Sequence, residues 1–288
     1  MTETAWSPAA VETGRSSVLQ ELRKIPAFVR RDFLVAWSYR MAFASDAVGL
    51  VAGAALFYLI GLMIDPAKIP SFGGTRATYM EFVAVGLALG VFIQLGLARV
   101  ANALRNEQLT GTLECLLMTP TAPATIQLGS VAYDLLYIPL RTGIFLLIVA
   151  FAFGLDLDIG GALPAALALL LFIPFVWGIG VATAASMLTF RRGTGVLGLG
   201  VAALSLASGA YVPLQLLPSW IEKLAGANPM ALALDAMREG LLGDASVGDV
   251  APKLLVLAPM SAGSLGLGLY LFGLAMRREQ RRGSIGLY

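Results

Sequence analysis

An all-α membrane protein of six transmembrane helices is the fold that this sequence predicts, and three observations predict it. Of the 288 residues, 58% are hydrophobic and only 13% are charged, whereas soluble domains carry about a quarter charged residues. Apolar runs long enough to cross roughly 30 Å of hydrocarbon recur along the chain. The basic residues gather in alternate connections, which orients the helices by the positive-inside rule.

The same composition excludes several chemistries. There is no His, which removes the commonest general base, proton relay and transition-metal ligand. The single Cys115 forms neither an intrachain disulfide nor a thiolate cage for a metal. A formal net charge of +2 is too small to argue for a nucleic-acid partner.

Residues 1–16 are polar and lack an apolar core, which predicts a disordered cytoplasmic tail rather than a signal peptide. Residues 17–43 alternate basic and apolar side chains at helical spacing. Leu19, Leu22, Ile25, Val29, Phe33 and Trp37 share one face, and Arg23, Lys24, Arg30 and Arg31 fall mostly on another. That pattern predicts an amphipathic helix lying in the membrane interface; an ordinary solvated helix is the alternative. Pro26 kinks this helix or marks a break in it.

Apolar runs near 44–64, 78–99, 127–153, 162–189, 194–212 and 250–276 are the expected spans. With both termini cytoplasmic, one side holds Arg15, Arg23, Lys24, Arg30, Arg31, Arg40, Arg99, Arg105, Arg191, Arg192, Arg277, Arg278, Arg281 and Arg282. The outer side holds only Lys68, Arg76, Lys223, Arg238 and Lys253, and Arg141 falls inside a span. The chain then closes with a basic cytoplasmic tail at 277–288. The glycine-rich run Gly193 to Gly200 opens the fifth span and reads as a site of close helix packing.

Two segments are neither spans nor tight turns. Residues 102–120 lie on the cytoplasmic side between the second and third spans, and Asn106 to Pro120 read NEQLTGTLECLLMTP. Glu107, Thr110, Gly111 and Glu114 cluster on one helical face, opposite Leu109, Leu113 and Leu116. Pro120 ends the helix. Such a helix can lie under the bilayer and offer its acidic face to a soluble partner; a helix that only spaces two spans is the alternative.

The outer segment 211–249 is too apolar for a free loop and too interrupted by Pro213, Pro218 and Gly226 for a span. Ser219 with Glu222 predicts a capping box. Asn228 before Pro229 predicts a second helix, with Gly243 just past its end. These read as short re-entrant helices at 212–243, since broken helices are tolerated at membrane depth where protein buries them. A water-exposed loop is the alternative.

NEQLTGTLECLLMTP resembles the cytoplasmic motif of type-2 ABC transporter permeases, in which an Arg/Asn-Glu pair precedes Gly-Thr-Leu-Glu, two Leu and Thr-Pro. The outer PLQLLPSWIEKLAGANPMALALDAMREGLL is similar to that family's second block. The resemblance implies the transmembrane permease subunit of an exporter of amphiphilic or polymeric substrates such as drugs, lipids or glycans. It implies no cofactor in this chain, with ATP and Mg held by a partner. The implied partners are two nucleotide-binding ATPase subunits, a second permease protomer (in a homodimer or heterodimer) and the lipid of the plasma membrane. By the resemblance, Arg105, Glu107, Gly111, Thr112, Leu113, Glu114 and Leu117 belong to the ATPase-coupling helix. By the same carry-over, Pro213, Pro218, Trp220, Asn228, Pro229 and Arg238 belong to the outer gate. No G-x-x-x-x-G-K-[ST] loop occurs in the chain, so it has no P-loop of its own for ATP.

Asp134, Tyr137 and Arg141 in the third span are the pathway candidates, because intramembrane charges usually face a cavity or each other. Alternatively Asp134 is interfacial and Arg141 snorkels. An ion- or proton-coupled secondary transporter is the competing function and requires paired ionisable groups at the midplane. An integral-membrane enzyme is a third, weakened by the missing His.

Overall fold

The computed structural model describes residues 23–109, 123–190 and 194–282, apart from positions 39, 66 and 68. The expected tail at 1–16, the interfacial segment at 17–22, residues 110–120, the turn at 191–193 and the tail at 283–288 lie outside the described residues.

Helix α1 (Ile25–Ser38) is followed at once by α2 (Arg40–Gly61). Pro26 sits in the first turn of α1, where a missing N–H breaks no helical hydrogen bond, so it starts the helix instead of kinking it. A short antiparallel hairpin comes next, with β1 (Ser71–Phe72) paired to β2 (Thr75–Arg76). Gly73 and Gly74 form its turn at φ 55° and 80°, the left-handed pair that a type I′ hairpin turn needs. Then come α3 (Tyr79–Leu109), α4 (Pro123–Phe153), α5 (Ala162–Phe190) and α6 (Thr194–Leu206). A 3₁₀ turn (Leu214–Leu216), α7 (Ser219–Ala225), α8 (Pro229–Gly243) and α9 (Val247–Arg282) complete the described chain.

Four helices contain a stretch long and apolar enough to cross a membrane: Tyr79–Val100, Val131–Phe153, Ala162–Met187 and Val247–Ala275. They coincide with the expected second, third, fourth and sixth spans. The first and fifth expected spans fall on shorter apolar helices among the described residues, Val48–Gly61 within α2 and the 13-residue α6. Helix α3 is 31 residues long, about 46 Å at 1.5 Å per residue. Residues 102–109 of the expected cytoplasmic segment therefore continue α3 without a break.

A capping box starts α3. Thr78 Oγ1 accepts the Glu81 N–H at 3.3 Å, and Glu81 Oε2 accepts the Thr78 N–H at 2.6 Å, which satisfies two donors of the first turn reciprocally. Glu81 Oε1 also accepts the Asp156 N–H at 3.2 Å, so the end of α4 is tied to the start of α3.

One end of the bundle gathers the hairpin, the start of α3, the end of α4, the start of α5, the end of α6, helices α7 and α8, and the start of α9. We call it the capped end. Helix α8 is buried on nearly all sides, from Pro229 and Met230 through Leu234 and Arg238 to Leu242, packed among α3, α5 and α9. A free water-exposed loop is therefore excluded for α8. The core it joins includes Phe82, Val83, Leu89 and Ile93 of α3, Phe172 and Val176 of α5, and Leu257 of α9.

Close backbone approach holds this core together. A Cβ on Gly178 of α5 would collide with the Ser264 backbone of α9, and one on Gly268 with the Gly178 carbonyl. Small residues permit such contact where no apolar driving force separates protein from lipid. The glycine-rich run of α6 behaves otherwise: a Cβ on Gly198 or Gly200 would meet nothing within 4 Å. At those two described glycines the expected close packing is not made within the chain. Gly178 and Gly268 make it instead, because each faces a neighbouring backbone.

Helix α1 docks on α4. Phe28 is its buried residue, and a Cβ on Gly129 would strike the Phe28 ring. Phe33 and Trp37, on the expected apolar face, stack on each other at 6.0 Å and remain 50% and 60% exposed. These two residues of the expected apolar face thus project outward, while Ile25 and Val29 of the same face are half-buried.

Candidate functional site

The site begins where α6 stops. Helix α6 ends at Leu206, short of the span expected to reach 212, because Gly209 turns the chain at φ 72°, a left-handed conformation that glycine adopts without strain. A helix that ends inside protein leaves carbonyls that need donors. Some are met locally: Ala203 O accepts the Ala207 N–H at 2.9 Å, and Ser205 O accepts the Ser208 hydroxyl at 2.7 Å. Four others are met by side chains from distant elements. Asn228 Nδ2 donates to Leu204 O at 3.0 Å, and the Tyr79 hydroxyl donates to Tyr211 O at 3.1 Å. Arg238 takes Gly209 O and Ala210 O.

Arg238 is 2% exposed. Its Nη1 donates to Gly209 O, and its Nη2 to Gly209 O and Ala210 O, each at 3.1 Å. Its Nε and Nη2 donate to Phe82 O of α3 at 3.2 and 3.1 Å. The guanidinium also lies 3.6 Å from the centroid of the Phe82 ring. A planar fork with five N–H donors makes several bonds to three carbonyls at once, where a lysine offers only three donors from a single atom. One buried cation thus joins α8, α3 and the break after α6. The Gly86 backbone touches the same break, since a Cβ there would collide with the Ala210 carbonyl.

The other residues assigned by resemblance to the outer gate divide in two. Asn228 and Pro229 are buried. Asn228 caps α8 by accepting the Met230 N–H at 2.9 Å, with Pro229 at the first helical position, so both ends of its carboxamide are engaged. Pro213 is also buried, and its carbonyl accepts the Leu216 N–H at 3.0 Å to close the 3₁₀ turn. Pro218 and Trp220 lie on the surface, with Trp220 64% exposed. Two expected caps are corrected. The Pro218 carbonyl, not Ser219, begins α7, accepting the Ile221 and Glu222 N–H groups at 2.9 and 3.3 Å. Asp244, not Gly243, takes the left-handed position after α8, at φ 53°; Asp is one of the few side chains that tolerate it.

Beside this cap, the Asp158 carboxylate accepts the Gly160 N–H at 2.8 Å and its own N–H donates to Leu241 O at 2.8 Å. The Asp244 carboxyl faces the Asp158 carboxylate, and the hydrogen bond that a proton between them would form, with the like charge, pushes Asp244 above the usual carboxylate range.

The pathway candidates lie on α4. Asp134 is buried, and its ion pair is with Arg99 of α3, Nε to Oδ1 at 3.8 Å, rather than along its own helix. Tyr137 stacks on Tyr133 at 5.2 Å, and Arg141 is half-buried. Arg105 and Glu107 fall in the last turns of α3, their side chains outside the described residues, as are Gly111, Thr112, Leu113, Glu114 and Leu117 altogether.

Sequence reasoning missed Tyr79, Phe82 and Arg99. Arg99 could have been found by pairing charges at corresponding depths of the second and third spans. Tyr79 and Phe82 act through a hydroxyl and a backbone carbonyl, which no residue pattern marks.

The family model for ABC-2 type transporters matches residues 23–242, well over half of the chain and all of the capped end except α9. No curated protein matches the chain.

Proposed function

The chain belongs to the ABC-2 type transporter family, and on that premise we propose that it is the permease subunit of an exporter powered by a separate ATPase. Membership makes it a multi-pass membrane component of an ABC-type transporter. In our reading its six helices α2, α3, α4, α5, α6 and α9 all cross the plasma membrane, with both termini cytoplasmic and the capped end outside. The substrate is amphiphilic or polymeric: a drug, a lipid or a glycan.

Two ATPase subunits dock under residues 102–120 of two permease protomers, and ATP and Mg reside in those subunits. Closure of the ATPases displaces the coupling segment and reorients the spans. Such coupling requires that the segment interact differently with the two ATPase states. Arg105, Glu107, Gly111, Thr112, Leu113, Glu114 and Leu117 supply the contact in this reading.

The observation that carries the proposal is the family match, which spans the coupling segment and the capped end together. The alternation of the six helices fits it: α2, α4 and α6 end at the capped end, where α3, α5 and α9 begin. The test is transport in vesicles containing this chain and its ATPase. Vanadate-sensitive, ATP-dependent uptake of a fluorescent amphiphile into inside-out vesicles supports the reading. Uptake by this chain alone under a proton gradient contradicts it.

A further inference from the structure

Two kinds of contact separate the described helices. Around the capped end, backbone meets backbone: Gly73 against Gly243, Gly161 against Gly240 and Gly86 against Ala210; farther along α5 and α9, Gly178 meets Ser264 and Gly268. Each is a place where a single methyl group would collide, and interiors packed this closely shift as blocks rather than deform. Helix α6 is different. Leu199 is 76% exposed, and Gly198 and Gly200 face open space. Its described attachments concentrate at one end, where Asn228, Arg238 and Tyr79 hold Leu204 O, Gly209 O, Ala210 O and Tyr211 O.

We propose that Arg238 is a positioning residue that pins the end of α6 to α3 and α8, so that the capped end stays fixed in transport while α6 swings about this anchored pivot. This rests on the transport reading above and replaces the outer-gate role implied by the resemblance, since those residues become an immobile bearing. A gate must exchange contacts in each cycle. Arg238 is 2% exposed and has three carbonyls and an aromatic face to leave, and a buried charge that gives up its partners is costly. All four anchored carbonyls lie within 204–211, so the pivot is the end of α6 and the part left to swing is the helix N-terminal to Leu204.

Two measurements decide the matter. In a Cys115→Ser background, Glu239→Cys and Lys253→Cys replace an ion pair between α8 and α9 and are joined by mild oxidation. The disulfide is expected to leave permease-dependent ATP turnover of the reconstituted complex within about twofold of the reduced protein. A loss of more than about tenfold, restored by reduction, means that the capped end moves and overturns the proposal. Amide exchange on the isolated chain needs neither ATPase nor substrate. Residues 207–211 are expected to exchange as slowly as the α3 core at 83–93. Arg238→Lys should speed 207–211 by more than about tenfold, with 83–93 unchanged as the check that the chain is folded. Wild-type exchange at 207–211 as fast as at 198–203, or no change in Arg238→Lys, refutes the pivot. Absence of permease-dependent turnover before oxidation refutes the transport reading instead, and the exchange pattern then still decides the pivot.

Discussion

Asn228 Nδ2 donates to Leu204 O at 3.0 Å while Asn228 Oδ1 accepts the Met230 N–H at 2.9 Å. One carboxamide therefore starts α8 and closes α6. Aspartate keeps the acceptor and loses the donor, which makes the two roles separable. Asn228→Asp should preserve the α8 cap but set a carboxylate against a buried carbonyl, at a cost of about 1–3 kcal/mol. Asn228→Ala should lose both, adding about 1 kcal/mol for the cap. Thermal unfolding of the detergent-solubilised chain checks the order: wild type most stable, then Asn228→Asp, then Asn228→Ala.

The glycines predict opposite outcomes for the same substitution. Gly178→Ala should destabilise by about 1–3 kcal/mol or more, because a backbone, not a flexible side chain, occupies the space. Gly198→Ala should be neutral or stabilising by about 0.4–1 kcal/mol, since alanine restricts the unfolded chain and nothing opposes its methyl group. Paired unfolding curves in detergent test the contrast. Equal losses at the two sites would mean that α6 is packed within the chain after all.

Asp244 gives a pH dependence with a definite sign. Its folded-state pKa is raised by the hydrogen bond and charge of Asp158. A raised carboxyl pKa means that the folded chain holds its proton more tightly than the unfolded chain. The stabilisation is therefore fully present below the ordinary aspartate value of about 3.9 and is lost as pH rises through the folded value. Asp244→Asn, which mimics the protonated group and tolerates the left-handed backbone, should raise the unfolding temperature at pH 7. The gain should vanish at low pH, where Asp244 is already protonated. A gain independent of pH would place its origin elsewhere.

Asp134 and Arg99 form a pair of unequal burial, with side-chain exposures of 8% and 55%. Removing the exposed partner leaves a buried charge uncompensated, whereas neutralising the buried one does not. Arg99→Ala should therefore cost more stability than Asp134→Asn, by about 1 kcal/mol after allowance for the solvent around Arg99. The double variant should recover most of that loss in a double-mutant cycle. Additive losses would remove the pair from the account.

The extent to which the chain declares itself differs from element to element. Four long spans and the start of α8 at Asn228-Pro229 were legible, because apolar length and capping chemistry are local and carried by side chains. The close α5–α9 contact was not, because whether a glycine touches a backbone depends on what lies opposite: Gly178 and Gly198 look alike in sequence. The partners of Arg238 were invisible for a stricter reason. Phe82 O, Gly209 O and Ala210 O are main-chain acceptors, which any residue at those positions would supply. The Arg99–Asp134 pair lay between these extremes, with both residue types readable and only their common depth missing.

The account's central claim is that residues 102–120 transmit the work of a separate ATPase to this chain. Glu114→Arg reverses the charge on the expected docking face without touching the capped end. The direct measurement is permease-dependent ATP turnover and ATPase co-purification for wild type and Glu114→Arg, both inserted and equally stable in the membrane. The account predicts that the variant folds and inserts but loses ATPase association or the coupling of turnover to transport. Undiminished association and transport in Glu114→Arg would contradict it.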